Sequence, residues 1–334
     1  MSFKSLNMAP DGEKNPAYQH LQESTLPTPN WIDTEQNSSY EDTPIQLTFR
    51  HAESWQNTVD NDFNAQFQAL KLEYWDPIPE VLLFPLITEY IIEKIQSGDD
   101  EEIDITEKWV EDCESVNTAL MKSMGRSNRE IQHVTISPKK RTRQTASEIL
   151  KWIVPINQNV LERDGRMKAS WVNISLNQNV TERDFGSHIG FYHWWARWYL
   201  QKPEQRERFQ KWCSSAWKWY FWDVPNWVMK MFLKVISENR KAETRENVIQ
   251  RVRWETQNLL DITDKNWVSL MVTHAWTIKA LMLGVIDPEK KNEKLEWFMN
   301  SSEFSPKNTS MTVIGKSEEG GLLLMGYNLR PSRQ

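Results

Sequence analysis

An arginine and a histidine stand side by side where an apolar segment ends, as Arg50 followed by His51. The preceding residues, 45–49, read Ile-Gln-Leu-Thr-Phe and predict a β-strand. In α/β proteins, ligands bind beyond the carboxyl ends of the strands. A neutral imidazole is a nucleophile, and a guanidinium binds phosphate oxygens in a forked geometry. The pair is compatible with phosphate chemistry, although alone it fits a core histidine beside a solvated arginine better.

A second segment has the same order of strand and polar residues. Residues 133–136 predict a strand, and the residues after them carry a helical pattern that includes Arg141. We expect Ser137 to cap this helix with Pro138 in its first helical position. Because a helix N-terminus favours anions, this segment predicts an anion site at the same sheet edge.

Two further segments add a carboxylate and another histidine. Glu182 is followed by an aromatic residue and two glycines, at Phe185, Gly186 and Gly190. His274 directly follows an apolar strand candidate and precedes a helical run.

In chain order, these four segments resemble the motifs of the histidine phosphatase superfamily, in its phosphoglycerate-mutase-like branch, with fungal-type phosphatases as the nearest group. That pattern is Arg-His-Gly-Glu-Ser-x-x-Asn, Ser-Pro-x-x-Arg-x-x-Gln-Thr-Ala, Glu-Arg-x-Phe/Tyr-Gly-x-x-x-Gly and Ser-His-Gly-Gly-Thr. The resemblance spans about residues 45–328. The acid phosphatase branch does not fit, because Ser54 stands where its second arginine would be. The resemblance implies a three-layer α/β sandwich with a mostly parallel sheet, and the alternation of strand and helix patterns agrees.

The resemblance implies a nucleophile and a phosphate clamp. His51 would attack phosphorus and become a phosphohistidine, and Arg50 and Arg141 would hold the phosphate oxygens. The family places its arginine three residues before Gln-Thr-Ala, which selects Arg141. We expect Arg143, the neighbouring candidate, to face solvent or a distal anion of the substrate.

The resemblance also implies donors and a general acid. His274 would donate to the phosphate oxygens, and Asn57 and Ala275 would contribute further phosphate contacts. Glu182 would protonate the leaving alkoxide and then activate water. A near copy of its segment surrounds Glu162, so two glutamates compete for this role. The aromatic residue and glycines after Glu182 favour it, and we expect the first copy to form the approach strand.

Alanine replaces the family's glycine at Ala52 and Ala275. It does so again at Ala242, in a weaker family element, Gly-Glu-Ser before a helix, which reads here as Ala-Glu-Thr over residues 242–244 with Val248 and Arg251 following at helical spacing. Alanine is unstrained only where the backbone φ is negative.

The leading interpretation of these motifs is a phosphomonoester hydrolase that acts on a small phosphorylated metabolite without metal or cofactor. The alternatives are a phosphoglycerate-type mutase and a catalytically dead, phosphatase-like interaction protein.

Composition limits the other classes of function. A formal net charge of −6 over 334 residues argues against nucleic-acid binding, which usually requires an excess of positive charge. No run approaches 18 apolar residues and the N-terminus lacks an apolar targeting segment, so we expect a cytoplasmic protein without membrane contact. The two cysteines are expected to be reduced and structural. The sequence does not predict the oligomeric state.

The chain divides into an extension and one domain. Residues 1–44 have a disordered composition, and residues 45–330 are expected to form a single phosphatase domain. Within it, residues 187–240 predict a helical insertion, and eight of the 18 tryptophans lie in 191–227. Three interpretations stay open: a subdomain packed on the sheet, a cap over the phosphate pocket, or a protein interface.

Overall fold

A seven-stranded sheet forms the centre of the molecule. The computed structural model describes residues 43–74, 78–96, 104–127, 129–183, 200, 202–220, 228, 230, 243–286, 305–317 and 320–330. The strands are β1 (Ile45–Arg50), β2 (Glu130–Ile136), β3 (Arg166–Ala169), β4 (Val172–Leu176), β5 (Trp267–Thr273), β6 (Met311–Lys316) and β7 (Leu322–Leu329).

The strand order is β3-β4-β2-β5-β1-β6-β7. The central strands β4, β2, β5 and β1 are parallel, whereas β3 and β6 run antiparallel to their neighbours. Arg50 at the end of β1 pairs with Thr273 at the end of β5. Because the carboxyl ends of parallel strands meet at one edge, the residues that follow β1, β2 and β5 converge there.

Helices connect the strands and cover the sheet. They are α1 (Trp55–Tyr74), α2 (Glu80–Gln96), α3 (Glu107–Ser127), α4 (Lys140–Leu150), α5 (Gln158–Asp164), α6 (Pro203–Tyr220), α7 (Arg245–Ile262) and α8 (Ala275–Ile286). In the part of the chain that the structure describes, no helix is long and apolar enough to cross a membrane.

The helices form layers on both faces of the sheet, which confirms the predicted α/β fold class. Leu47 and Val313 pack in a cluster that includes α3 and α4. Ile314 packs instead in a cluster formed with α7 and α8. Since successive strand residues point to opposite faces, Val313 and Ile314 identify the two covered sides.

A third hydrophobic cluster lies among α1, α2 and α6. Phe84 of α2 contacts Phe209 and Trp212 of α6, with ring centroids 5.3 and 5.7 Å apart. Trp212 therefore packs within a helical cluster, and not in the clusters that cover the sheet. Most of the predicted insertion, and residues 1–42, lie outside the described residues, so the cap and interface interpretations stay predictions.

The two copies of the Asn-Gln-Asn-Val segment adopt different structures. In the first copy, Asn157 accepts a hydrogen bond from the Val160 amide at 3.3 Å and starts α5, which ends at Gly165 with φ 67°. In the second, Asn177 starts a single 3₁₀ turn, Gln178–Val180. The expected strand forms only beyond the first copy, as β3 from Arg166, because the Asn157 cap makes residues 158–164 helical. The strand that leads to Glu182 is β4.

Candidate active site

His51 lies at the edge where β1 ends. Its backbone amide donates to Thr273 O at 2.9 Å, which extends the pairing of β1 with β5. The side chain is buried, and Nδ1 lies 2.6 Å from Ala52 O. A carbonyl oxygen only accepts, so Nδ1 carries the proton and Nε2 keeps its lone pair. Burial, reinforced by the charges of Arg141 and Arg50, holds the His51 pKa well below its ordinary value, and the imidazole is neutral.

Arg141 stands between the two histidines from the first turn of α4. Its guanidinium is buried, and Nε donates to His51 Nε2 at 3.3 Å. Its Nη2 lies 3.4 Å from His274 Nδ1. A charge of fixed sign therefore faces both imidazoles, which suits an anion placed among these three side chains.

Ser137 contacts His274 and does not cap α4. The helix begins at Lys140, and its N-cap residue Lys139 makes no side-chain capping bond. Ser137 Oγ instead lies 2.8 Å from His274 Nε2. The predicted cap is thus wrong, because two residues separate Ser137 from the first helical turn and its hydroxyl is engaged by the neighbouring strand's histidine.

His274 directly follows β5 and is completely buried. Its ring centroid lies 5.0 Å from that of His51. Burial, followed by the charge of Arg141, lowers the His274 pKa well below its ordinary value. Sequence order did not reveal how close the two rings are, since 222 residues separate them along the chain (274 − 51 − 1).

Glu182 is the glutamate that joins this cluster. Its Oε1 accepts from the Trp276 amide at 3.1 Å, in the first turn of α8, and its Oε2 lies 3.5 Å from His274 Nδ1. Glu162 is elsewhere: it forms an ion pair with Arg143 Nη1 at 3.2 Å. The expectation that Arg143 faces solvent or substrate is also wrong, because Arg143 is buried against Glu162.

Arg50 leaves one buried donor without a partner. Its Nη1 donates to Pro306 O at 2.5 Å, whereas Nε makes no hydrogen bond to any described residue. Burial lowers the Arg50 pKa to about 10, and the nearby Glu182 carboxylate opposes that shift. A buried unsatisfied donor costs about 1–3 kcal/mol, which a bound anion would relieve.

Asn57 makes a structural contact at the start of α1. Its Oδ1 accepts from Ser54 N at 3.1 Å and from Ser54 Oγ at 3.2 Å, as in a helix capping box. Among the described residues it contacts neither His51 nor Arg141, so its predicted phosphate role stays a prediction. Glu53 also makes a structural contact, because its carboxylate accepts a hydrogen bond from Trp109 Nε1.

The alanines beside the histidines are conformationally relaxed. The non-glycine residues with positive φ among those described are Ser170, Asn266, Thr309 and Asn328. Ala52 and Ala275 therefore have φ values that alanine adopts freely. Ala52 N donates to Thr145 Oγ1 at 2.9 Å, and Ala275 opens α8, where backbone amides lack helical partners. Ala242 lies outside the described residues.

The side chains of His51, Glu182 and His274 lie close enough together to bind a metal ion, but the charge beside them favours an anion. Ligand atoms of His51, Glu182 and His274 all lie within 4.8 Å of one another. Arg141, however, lies within 3.4 Å of ring nitrogens of both histidines, where its charge repels a cation.

A buried lysine near the site was missed by sequence reasoning. Lys279 lies in α8, and burial together with the charge of Arg50 lowers its pKa to about 8. The available signal was a single lysine in the otherwise uncharged helix Ala275–Ile286. Lys279 adds to the positive potential around Arg50.

A separate cavity of about 510 Å³ lies between α7 and strands β2–β4. His133, Arg166, Lys168 and Glu255 are among its lining residues, and none of the clustered histidines or Arg141 reaches it. The site formed by His51, Arg141 and His274 therefore lies elsewhere on the sheet.

A scan of family models finds no match to this chain, and a search of curated proteins finds none either. Solved structures resemble it remotely. An α-ribazole phosphatase from Shigella flexneri is 15% identical with a TM-score of 0.45, over 86% of this chain and 96% of that one. A phosphoserine phosphatase variant from Entamoeba histolytica, solved with phosphoserine, is 13% identical with a TM-score of 0.41, over 86% and 97%. The ecdysone phosphate phosphatase from Bombyx mori, solved with tungstate, is 13% identical with a TM-score of 0.40, over 87% and 95%. All three are phosphatases.

Proposed function

We propose that this protein hydrolyses phosphomonoesters of small metabolites through a phosphohistidine intermediate. The observation that carries the proposal is the state of His51. The ring is neutral, its Nδ1 proton is held by Ala52 O, and its Nε2 lone pair faces the Arg141 guanidinium. A nucleophile that is unprotonated and directed at an anion-binding group is what phosphoryl transfer to histidine requires.

The first half-reaction follows from the neighbouring charges. The phosphate lies against Arg50 and Arg141, which stabilise the charge on its equatorial oxygens. His51 Nε2 attacks phosphorus, so that a P–N bond forms while the bond to the ester oxygen breaks. Glu182 enters protonated and transfers its proton to the departing alkoxide.

In the second half-reaction, water hydrolyses the phosphohistidine. Glu182, now a carboxylate, takes a proton from the attacking water, and the P–N bond breaks to release inorganic phosphate. His274 assists both steps. We assign the Ser137 hydroxyl as donor to His274 Nε2, which leaves the His274 proton on Nδ1, on the side of Arg141 and Glu182.

Two other functions compete with this proposal: a mutase, which would use the same residues for catalysis, and an interaction protein, in which those residues would be inactive. A phosphoglycerate-type mutase would return the phosphoryl group to a sugar acid, and the geometry of His51 suits both outcomes. An inactive interaction protein is disfavoured, because the charged residues of the site are assembled and Ala52 is unstrained. We include the cytoplasmic location and the small-molecule substrate in the proposal.

The decisive experiment measures release of phosphate from p-nitrophenyl phosphate by the purified full chain. We expect turnover in the wild type, and none after His51→Ala, together with loss of an acid-labile, base-stable phosphoenzyme. His133→Ala, a change on β2 outside the site, is the matched control and should retain both. Absence of turnover by a folded wild type across a panel of phosphomonoesters would overturn the proposal. Exchange between 2- and 3-phosphoglycerate would indicate the mutase instead.

A further inference from the structure

Arg251 on α7 lies at the centre of a hydrogen-bonded network that the reaction itself does not use. One side of its guanidinium binds the Glu243 carboxylate, with Nε 2.8 Å from Oε1 and Nη2 3.1 Å from Oε2. The side chains of Arg251 and Glu243 are 17% and 20% exposed, so the pair is mostly shielded from solvent. A two-point contact of this kind fixes the plane of the guanidinium.

The other side of the guanidinium binds the backbone of the segment that carries Glu182. Nη1 donates to Asn179 O at 2.5 Å, and Nη2 donates to Thr181 O at 3.0 Å and to Glu182 O at 3.4 Å. Arg251 therefore holds three carbonyl groups in a stretch of four residues, 179–182.

Two threonines hold the same stretch from the histidine side. Thr273, which precedes His274, donates its hydroxyl proton to Val180 O at 2.5 Å. Thr277, which follows it, donates to Thr181 O at 2.7 Å. The backbone beneath Glu182 is thus fixed between α7 and the segment that carries His274, and its carboxylate then reaches the Trp276 amide.

We propose that Arg251, oriented by Glu243, is a positioning residue that places the Glu182 carboxylate for proton transfer. The inference rests on the proposed function, since it assigns a support to the general acid named there. A guanidinium presents a rigid set of donors that can bridge three carbonyls and a carboxylate, which a lysine ammonium cannot reproduce. Proton transfer depends on placement within hydrogen-bond reach, so a shift of this backbone matters for the acid and less for the nucleophile.

The test exploits the dependence of acid catalysis on the leaving group. Departure of an alkoxide needs a proton, whereas p-nitrophenolate departs without one. We expect Arg251→Met to lower kcat/KM for an alkyl phosphate by up to about 100-fold. For p-nitrophenyl phosphate, kcat/KM should change little, because this ratio reports phosphorylation of His51 and excludes the shared hydrolysis step in which Glu182 acts as base. Arg253→Met, two residues along the same helix, is the matched control and should affect neither substrate.

Glu243→Gln provides a second variant that leaves Arg251 and the loop carbonyls in place. We expect the same selectivity for the alkyl substrate with a smaller loss, because an amide holds the guanidinium by one oxygen only. The double variant should lose no more than Arg251→Met alone, since both changes act through one contact. Arg251→Lys, which retains the charge, should behave like Arg251→Met, and it keeps the test available if the methionine variant fails to fold.

Glu182→Gln in the same assay separates the two proposals. Suppose that Glu182→Gln selectively lowers kcat/KM for the alkyl phosphate. If the folded Arg251 and Glu243 variants then lower kcat/KM equally for both substrates, or for neither substrate, the positioning role is overturned and the proposed function stands. If Glu182→Gln shows no selective loss, Glu182 is not the acid, and the positioning inference falls with it.

Discussion

At the scale of single residues, His51 and Arg141 show how a fixed charge sets the state of a titratable neighbour. The guanidinium Nε lies 3.3 Å from the imidazole Nε2, and burial excludes the water that would screen it. Burial, which disfavours a charged imidazole, lowers the His51 pKa most, and the charges of Arg141 and Arg50 lower it further, so the ring is neutral. The same guanidinium charge that would bind phosphate therefore also keeps the nucleophile unprotonated.

The arginine clamp leads to a prediction that compares two neighbouring residues. Arg141→Lys should reduce kcat/KM by the equivalent of about 2–4 kcal/mol, because a lysine cannot hold two oxygens in a fork. Arg143→Lys should leave kcat/KM nearly unchanged, since Arg143 pairs with Glu162 and a lysine can keep that ion pair. Steady-state kinetics on p-nitrophenyl phosphate measures both. A larger loss at Arg143 would reverse the assignment.

The histidine pKa values predict how stability depends on pH. His51 and His274 have pKa values lowered well below 6.5, whereas the unfolded chain retains the ordinary value. Below about pH 6.5 the unfolded state binds more protons than the folded state, so the free energy of unfolding should fall as the pH falls. His274→Asn should flatten this dependence between pH 6.5 and 5, as measured by urea unfolding. A wild-type curve as flat as that of the variant would contradict the prediction.

At the scale of elements, the repeated Asn-Gln-Asn-Val segments show that similar sequences can take different structures. Asn157 starts the helix α5, while Asn177 starts one 3₁₀ turn after β4. Since β4 runs parallel to β2 in the sheet, the second copy emerges at the edge where His51 and His274 lie. The first copy ends at Gly165, whose carbonyl accepts from the Leu176 amide at the carboxyl end of β4, and its Glu162 binds Arg143 instead of a histidine.

This difference predicts unequal roles for the two glutamates. Glu182→Gln should slow hydrolysis of an alkyl phosphate much more than that of p-nitrophenyl phosphate, because only the poor leaving group needs a proton. Glu162→Gln removes a comparable charge from the first copy and should show no such selectivity. The measurement is the ratio of kcat/KM for the alkyl phosphate to kcat/KM for p-nitrophenyl phosphate in each variant. Selectivity in the Glu162 variant alone would identify the first copy as functional.

At the scale of the whole molecule, the sheet with its covering helices is one packed unit and the α1–α2–α6 cluster is another. Phe84 joins α2 to α6 through contacts with Phe209 and Trp212. None of these side chains belongs to the histidine site. Stability and catalysis should therefore respond separately to changes in this cluster.

A core truncation tests that separation. Phe84→Ala should lower the free energy of unfolding by about 3–5 kcal/mol, the usual cost of removing a buried phenylalanine. Trp152→Ala, at a tryptophan that is 71% exposed, should cost less than about 0.5 kcal/mol. Chemical denaturation measures both values. An effect of Phe84→Ala no larger than that of Trp152→Ala would show that the cluster is not part of the stable core.

The elements that carry the site, and their order along the chain, could be predicted from local patterns in the amino-acid sequence. The apolar run before Arg50 predicts β1, and the runs before Ser137 and His274 predict β2 and β5, because strand periodicity is a local property of the chain. Motif order then predicted that Arg50, His51, Arg141 and His274 act together. The helix α1 was missed, although Val59, Phe63, Phe67 and Leu70 recur at helical spacing.

Which polar groups contact one another depends on the tertiary packing of the strands and helices. The two glutamate segments are nearly identical locally, and the path of β4 selects Glu182. The hydroxyl of Ser137 could cap a helix or contact a histidine, and the packing of β2 beside β5 brings it to His274. The contacts of Arg251 with residues 179–182 join parts of the chain about 70 residues apart. Such contacts depend on where distant segments lie in space, which no local periodicity of the sequence specifies.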